Sequence, residues 1–145
     1  MGVEYKFVPM MIWILILTKV LTLSMASDLQ AQQITMTVNG KQFAATLENN
    51  ATANAFKAML PLTLNMTELN ANEKFADLPK SLPTNRYNPG TIEVGDILLY
   101  GSTTIVVFYK KFDTPYSYTK IGKIENVDGL ETALGKGNVK VSFGR

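Results

Sequence analysis

The sequence predicts a mainly-β domain, an antiparallel barrel or sandwich of about seven or eight short strands with two short helices. Three observations predict it. Apolar and polar residues alternate in short runs, as at Ile34, Met36 and Val38 or Leu62, Leu64 and Met66, the spacing of a half-buried strand. Turn-forming pairs follow at close intervals, Asn39-Gly40 foremost, supplying the positive backbone angles of a type I′ turn. The longest alternation after the N-terminal run is GTIEVGDILLYGSTTIVVFYKKF, from Gly90 to Phe112. Split by Gly101-Ser102, it reads as a hairpin, and one so apolar needs further strands or a helix to cover it.

The chain opens with Lys6, the apolar run PMMIWILIL, then Val20, Leu21 and Leu23, with small residues at Ser24 and Ala26. These are the basic, apolar and small-residue regions of a secretory signal. Residues 1–26 are therefore expected to be a signal peptide cleaved after Ala26, with Ala31 a later candidate. The alternative is a retained anchor, although a span takes about 20 apolar residues and Lys19 interrupts this run. Residues 27–33 are then a short mature segment and 34–145 the domain. The expected destination is the periplasm or the outside.

Ile34–Val38 and Phe43–Leu47 form the first hairpin around Asn39-Gly40. Asn49 or Asn50 can cap a helix that places Ala55, Phe56, Met59 and Leu60 on one face, and Pro61 stops it. After the strand at Leu62–Met66 comes LNANEKFADLPKSLPTNRYNPG, read as a loop of about twenty residues, a functional loop or a strap over the core. Leu78, Leu82 and the prolines pin it down, while Glu73 and Lys74 read as solvated loop residues, one of them able to tie the loop to a strand. In the central hairpin Ile105, Val107 and Tyr109 share one face, Val106 and Phe108 the other. Both are apolar, so one is expected inside the barrel and the other beneath a helix. The segment DTPYSYT is aromatic and irregular, and Ile121 and Ile124 resume strand character. Asn126 or Asp128 is expected to cap a helix, VDGLETAL, ended by Gly135, before a last strand at Val139, Val141 and Phe143.

Composition narrows the function classes. A hydrophobic fraction of 46% and a charged fraction of 18% belong to a globular chain. The net charge is +2, and removing Lys6, Lys19 and Glu4 with the signal leaves 12 basic and 11 acidic residues. So even a balance offers no electrostatic footprint for nucleic acid. There is no cysteine, hence no disulfide, thiolate site or lipoprotein anchor. There is no histidine either, which excludes histidine-dependent triads and most zinc sites. No calcium-loop spacing occurs, and Gly135-Lys136-Gly137 precedes a strand, so it reads as a turn and not a phosphate loop. No metal or cofactor is expected.

The motifs LNANEKFADLPKSLPTN, GTIEVGDILLYGSTTIVVFYKKF and YSYTKIGKIENVDGLETALG resemble the bacterial cyclophilin-like fold family, over roughly residues 34–143. Ala71 stands where such sequences often have glycine, and Phe75-Ala76 where two aromatics are common. The resemblance implies a closed barrel of about eight strands with a helix at each end. It does not imply an established reaction. A true cyclophilin uses an arginine, a tryptophan, glutamines and a histidine to isomerise prolyl bonds. Here histidine is absent, Trp13 lies in the signal, and Gln30, Gln32, Gln33 and Gln42 sit at the N-terminal edge. Besides the terminal Arg145, Arg86 is the sole arginine, and it lies in the Pro/Asn-rich loop.

The expectation is thus a non-enzymatic barrel with no catalytic residues, binding a small molecule or extended peptide near the long loop and the Tyr116–Tyr118 segment. The candidate binding residues are Glu73, Lys74, Arg86, Phe112, Tyr116 and Tyr118. Tyrosine suits an exposed cleft because it joins an apolar face to a polar tip. The alternatives are a weak prolyl isomerase working through Arg86 and a structural or interaction module of the cell envelope. A hydrolase on the carboxylates Glu73 and Asp77, four residues apart, is conceivable, but the plainer reading of solvated loop charges is preferred.

Overall fold

The computed structural model describes residues 32–145, together with Gly2. The signal-peptide reading of residues 1–26 and most of the 27–33 segment lie outside the described residues. Eight strands close an antiparallel barrel in the order β1 (Gln33–Val38), β10 (Val139–Gly144), β3 (Leu62–Leu69), β4 (Glu73–Asp77), β7 (Thr104–Phe108), β6 (Asp96–Tyr100), β9 (Thr119–Ile124) and β2 (Lys41–Leu47). Two short strands, β5 (Thr91–Ile92) and β8 (Phe112–Asp113), pair separately. Closure leaves the eight barrel strands without an open edge, the stable solution for so many short strands.

The two helices close opposite rims. Helix α1 (Ala51–Ala58) follows β2, and α2 (Leu130–Leu134) follows β9. These strands run antiparallel, with Leu47 opposite Gly122 and Ala45 opposite Ile124, so their C-terminal ends point to different rims. Asn50 caps α1, its Oδ1 accepting the Ala53 N–H at 2.7 Å. Phe56 drives the helix into the barrel mouth, edge-on to Phe143 at 5.5 Å between ring centroids. The expected side-chain cap of α2 does not form. Gly129 holds the capping position at φ 77°, and Asn126 Oδ1 instead accepts the Asp128 N–H at 3.0 Å, making a turn ahead of the helix.

The long segment after Leu69 is not all loop. Glu73–Asp77 is a barrel strand, paired with β3 on one side and β7 on the other. It hid in the sequence because the inward position at its start is a lysine, which breaks the polar/apolar alternation. Its hairpin with β3 turns through Asn70 and Ala71, each at φ 55°, which accounts for the frequent glycine at the second position. The rest, residues 78–90, is the expected strap. Leu78 and Leu82 are buried, and their N–H groups donate to the carbonyls of Thr103 and Ser102 at 2.7 and 2.8 Å.

The barrel interior holds Met36, Phe43, Met66, Ile97, Leu99, Ile105, Val107, Val141 and Phe143, with the alternate positions of β7 facing out. The outward positions are also buried, but under a different cover from the one expected. Leu98, Val106 and Phe108 pack with Ile92 and Tyr118, and Phe75 and Phe112 flank them. It is the β5–β8 pair and the segment leading into β9, not a helix, that lie over this outer face.

Candidate functional site

Alternation along β4 sends neighbouring charged residues to opposite sides of the barrel wall. Lys74 points in and Glu73 points out. Each is buried, and their surroundings could hardly differ more.

Lys74 has no exposed surface. Its Nζ donates to the carbonyls of Gly135 and Gly137 at 2.9 and 2.6 Å, and lies 2.9 Å from Glu68 Oε2. The other Glu68 oxygen accepts the Tyr109 hydroxyl, and the Tyr109 ring lies 5.5 Å from the lysine. Burial, reinforced by that hydrogen bond, pushes the Tyr109 phenol well above its usual range. The group ties the turn after α2 to the barrel wall, and a buried ammonium needs this full complement of acceptors. Beside it opens a depression of about 760 Å³ lined by Glu68, Ala71, Tyr109, Lys110 and Glu131, among others. Within it Lys110 is answered by Glu131 at 2.8 Å.

Glu73 lines a cleft of about 400 Å³ on the outer wall. Phe75 and Val106 give the cleft an apolar floor, Leu69, Asn70 and Thr104 a rim, and Tyr100, Tyr116 and Tyr118 an aromatic wall. Tyr100 stands 6.2 Å from Tyr116 and 5.9 Å from Tyr118, with ring planes at 82° and 57°. Tyr118 is anchored by a two-way backbone bridge to Tyr87, at 2.8 and 2.9 Å, and by packing edge-on to Phe108 at 5.7 Å. Burial raises its phenol pKa. Tyr116 is free at the rim, 58% exposed. Leu69, Tyr100 and Tyr116 are the large hydrophobic residues left exposed among the described residues, and all three line this one cleft. Glu73 is 8% exposed, and among the described residues its carboxylate has neither a hydrogen-bond donor nor an ion-pair partner. Burial first, and the charge of Glu68 second, push its pKa from 4.5 to about 7.

The structure therefore brings Glu73, Tyr116 and Tyr118 together and leaves three other candidates elsewhere. Lys74 faces the interior, which also replaces the solvated-loop reading of both β4 charges. Phe112, in β8 itself, is half-buried with its ring 5.8 Å from that of Phe108. Arg86 is exposed on the strap and does not line the cleft. Tyr100, Phe75, Val106, Leu69, Asn70 and Thr104 were not among the sequence candidates. The signal for three of them was the hairpin register, which sets Tyr100 opposite Thr104 and Leu98 opposite Val106 on the outward face. As for paired-carboxylate hydrolysis, Asp77 shares the outer face of β4, but four residues of strand separate the two by about 13 Å. That exceeds the roughly 5–9.5 Å such chemistry uses, and Asp77 is engaged by the Thr104 hydroxyl at 2.7 Å.

Comparison with known proteins bears on the barrel as a whole. Among solved structures, the chain is similar to a hypothetical protein, AF2241, from Archaeoglobus fulgidus. The TM-score is 0.53 at 17% identity, over 79% of this chain and 94% of that one. At that identity the likeness speaks to fold alone. No curated protein matches. A family model described as the cyclophilin-like family matches residues 36–144, from the second residue of the first hairpin's inward face to the end of β10. The closed eight-stranded barrel with a helix at each rim, and that match across most of its length, place the chain in the cyclophilin-like family.

Proposed function

We propose that this is an exported, non-enzymatic member of the family that binds a small molecule in the outer cleft between β4, β7 and the Tyr116–Tyr118 segment. One observation carries the reading. Among the described residues the exposed large apolar ones gather at a single concavity, around the Glu73 carboxyl. Scattered apolar residues are ordinary on a surface, whereas a gathered set marks a contact site. The volume, about 400 Å³, lies in the range of about 300–1,000 Å³ typical of small-molecule pockets. Apolar walls with one well-placed polar group are likewise typical of such sites. An extended peptide would find only part of its length accommodated there.

Prolyl isomerisation is disfavoured by position. Weakening amide resonance needs a donor held rigidly against the twisting bond, and Arg86 stands outside the cleft. A protease-coupled proline assay on the protein and on Arg86→Ala is expected to give equal rates, both at background. Chemical-shift mapping with metabolite pools is expected to move Asn70–Phe75, Tyr100 and Tyr116–Tyr118, and shifts absent there would remove the binding reading. Export rests on the segment pattern of residues 1–26. N-terminal sequencing of the protein recovered from the cell envelope or medium is expected to begin at Ser27, and a chain retaining residues 1–26 would refute cleavage.

A further inference from the structure

We propose that the ligand of the outer cleft is a small organic cation, an ammonium or quaternary ammonium on an apolar body, held by the Glu73 carboxylate and the tyrosine wall. The proposal rests on the reading of the cleft as a binding site and adds the chemistry of what enters it.

Three features of the cleft carry it. The first is the unanswered carboxyl: Glu73 as a whole is more than nine-tenths buried, and its carboxylate, whose oxygens open on the cleft, has no ion-pair or hydrogen-bond partner among the described residues. Buried carboxylates ordinarily have such partners, because an isolated one is costly. The second is what surrounds Glu73. Glu68 on β3 is paired with Lys74, which faces the interior, and Asp77 on its own strand is bonded to Thr104. Tyr109, just past β7, is bonded to Glu68, and Tyr100, Tyr116 and Tyr118 stand across the cleft. The nearby lysines are engaged as well, Lys110 by Glu131 and Lys111 by Glu93. The cleft thus carries acidic and phenolic groups and no cation of its own. The third is the wall. The Tyr100 ring, set at steep angles to those of Tyr116 and Tyr118, makes with them the kind of π-electron surface on which ammonium groups are held.

Binding then has a proton balance. Glu73 is raised to about 7 by burial, so near neutrality it is divided between its neutral and charged forms. A permanent cation favours the charged form. Each cation bound by a protonated Glu73 releases one proton to solvent, and affinity rises with pH until the carboxyl is fully ionised.

The test uses benzyltrimethylammonium, whose charge does not titrate, beside neutral benzyl alcohol and anionic phenylacetate, with binding read by chemical-shift titration of the full protein. The expected result is saturable binding of the cation at Asn70–Phe75, Tyr100 and Tyr116–Tyr118. It should be about tenfold tighter at about pH 8.5 than at about pH 5.5, and weaker by about tenfold in Glu73→Gln at the higher pH, the size of one lost charge-assisted contact. Tyr116→Ala, at an exposed rim position, gives a second weakened variant whose folding is not at issue. If benzyl alcohol or phenylacetate binds there as tightly as the cation, or if Glu73→Gln and pH leave the cation's affinity unchanged, the charge assignment fails while the binding cleft stands. If none of the three produces localised shifts, both fail.

Discussion

Glu73 and Lys74 are consecutive residues of one strand, both withdrawn from solvent, and they teach opposite lessons. Beneath α2, the lysine is met by a carboxylate, two backbone carbonyls and an aromatic ring. Nothing is left over for a ligand, so the group serves the architecture. On the outer wall the glutamate is met by apolar and aromatic side chains and an open cavity. Burial, and after it the charge of Glu68, raise its pKa to about 7. A buried charge with all its bonds made points to structure, and one without them points to what arrives from outside.

The sharpest way to break this comparison is to remove the inner charge. Lys74→Met leaves the Glu68 carboxylate and the carbonyls of Gly135 and Gly137 without their shared donor. Loss of one member of a buried pair costs about 3–5 kcal/mol. Denaturant unfolding should show a loss of that order, with Glu68→Gln in the same chain recovering part of it. A loss under about 1 kcal/mol would mean that the inner network is not structural in this sense.

Glu73→Gln should act in the opposite direction. The folded-state pKa lies above the unfolded one, so in the window between them the native state holds a proton that the unfolded chain has released. The contribution of Glu73 to stability is therefore greatest below pH 4.5 and is lost as pH rises to about 7. Taking out the titrating group removes that fall, and the variant should be more stable than the parent above neutrality by about 1–3 kcal/mol, the lower end applying if the cleft is well hydrated. Below pH 4.5 the two should converge. Urea unfolding at several pH values checks this, and an equally steep pH dependence in the variant would show that the carboxyl is not the source.

The β3–β4 turn supplies a control, because Asn70 borders the outer cleft and Ala71 the inner depression. Ala71 holds φ 55°, which costs a residue with a Cβ of the order of 1 kcal/mol or more. Ala71→Gly relieves it at some entropic cost in the unfolded chain, for a net gain of up to about 1 kcal/mol. Being a backbone effect, the gain should not vary with pH or alter ligand response. A pH-dependent gain would tie the turn to one of the two charged groups.

How much of this was legible beforehand follows from what pairwise alternation can and cannot carry. The first hairpin, the Asn50 cap and the strap leucines were readable because each is a local matter of turn residues, capping chemistry or apolar spacing. Strand β4 was not, because its inward positions begin with Lys74, and a lysine is acceptable there only through Glu68 and two carbonyls more than sixty residues away. The tyrosines at 116 and 118 suggested an exposed cleft by type and crowding, and of the two Tyr116 is exposed while Tyr118 is buried in the cleft wall. Tyr100, Phe75 and Val106 did not, since their meeting depends on the register of β4, β7 and β6 around the barrel. The same holds for Glu73. Its presence was visible, but its burial without a partner is a property of closure, which no local window contains.

The smallest expected change in stability falls on the outer face and is the most telling about its purpose. Tyr116 follows Pro115 in the segment before β9, 58% exposed, its ring meeting Tyr100 at 6.2 Å and its N–H bonded to Thr114 Oγ1 at 3.2 Å through the backbone. Tyr116→Ala deletes the ring and keeps that hydrogen bond. Surface substitutions of this kind shift stability by no more than about 0.5 kcal/mol. A residue held for packing would cost more, and a residue held for solubility would not be an exposed aromatic beside two others. The melting curve of Tyr116→Ala should therefore overlay the parent, while its affinity for benzyltrimethylammonium drops. If stability falls by more than about 1 kcal/mol with affinity unchanged, the tyrosine wall is part of the fold's cover and the division between the two faces of β4 does not hold.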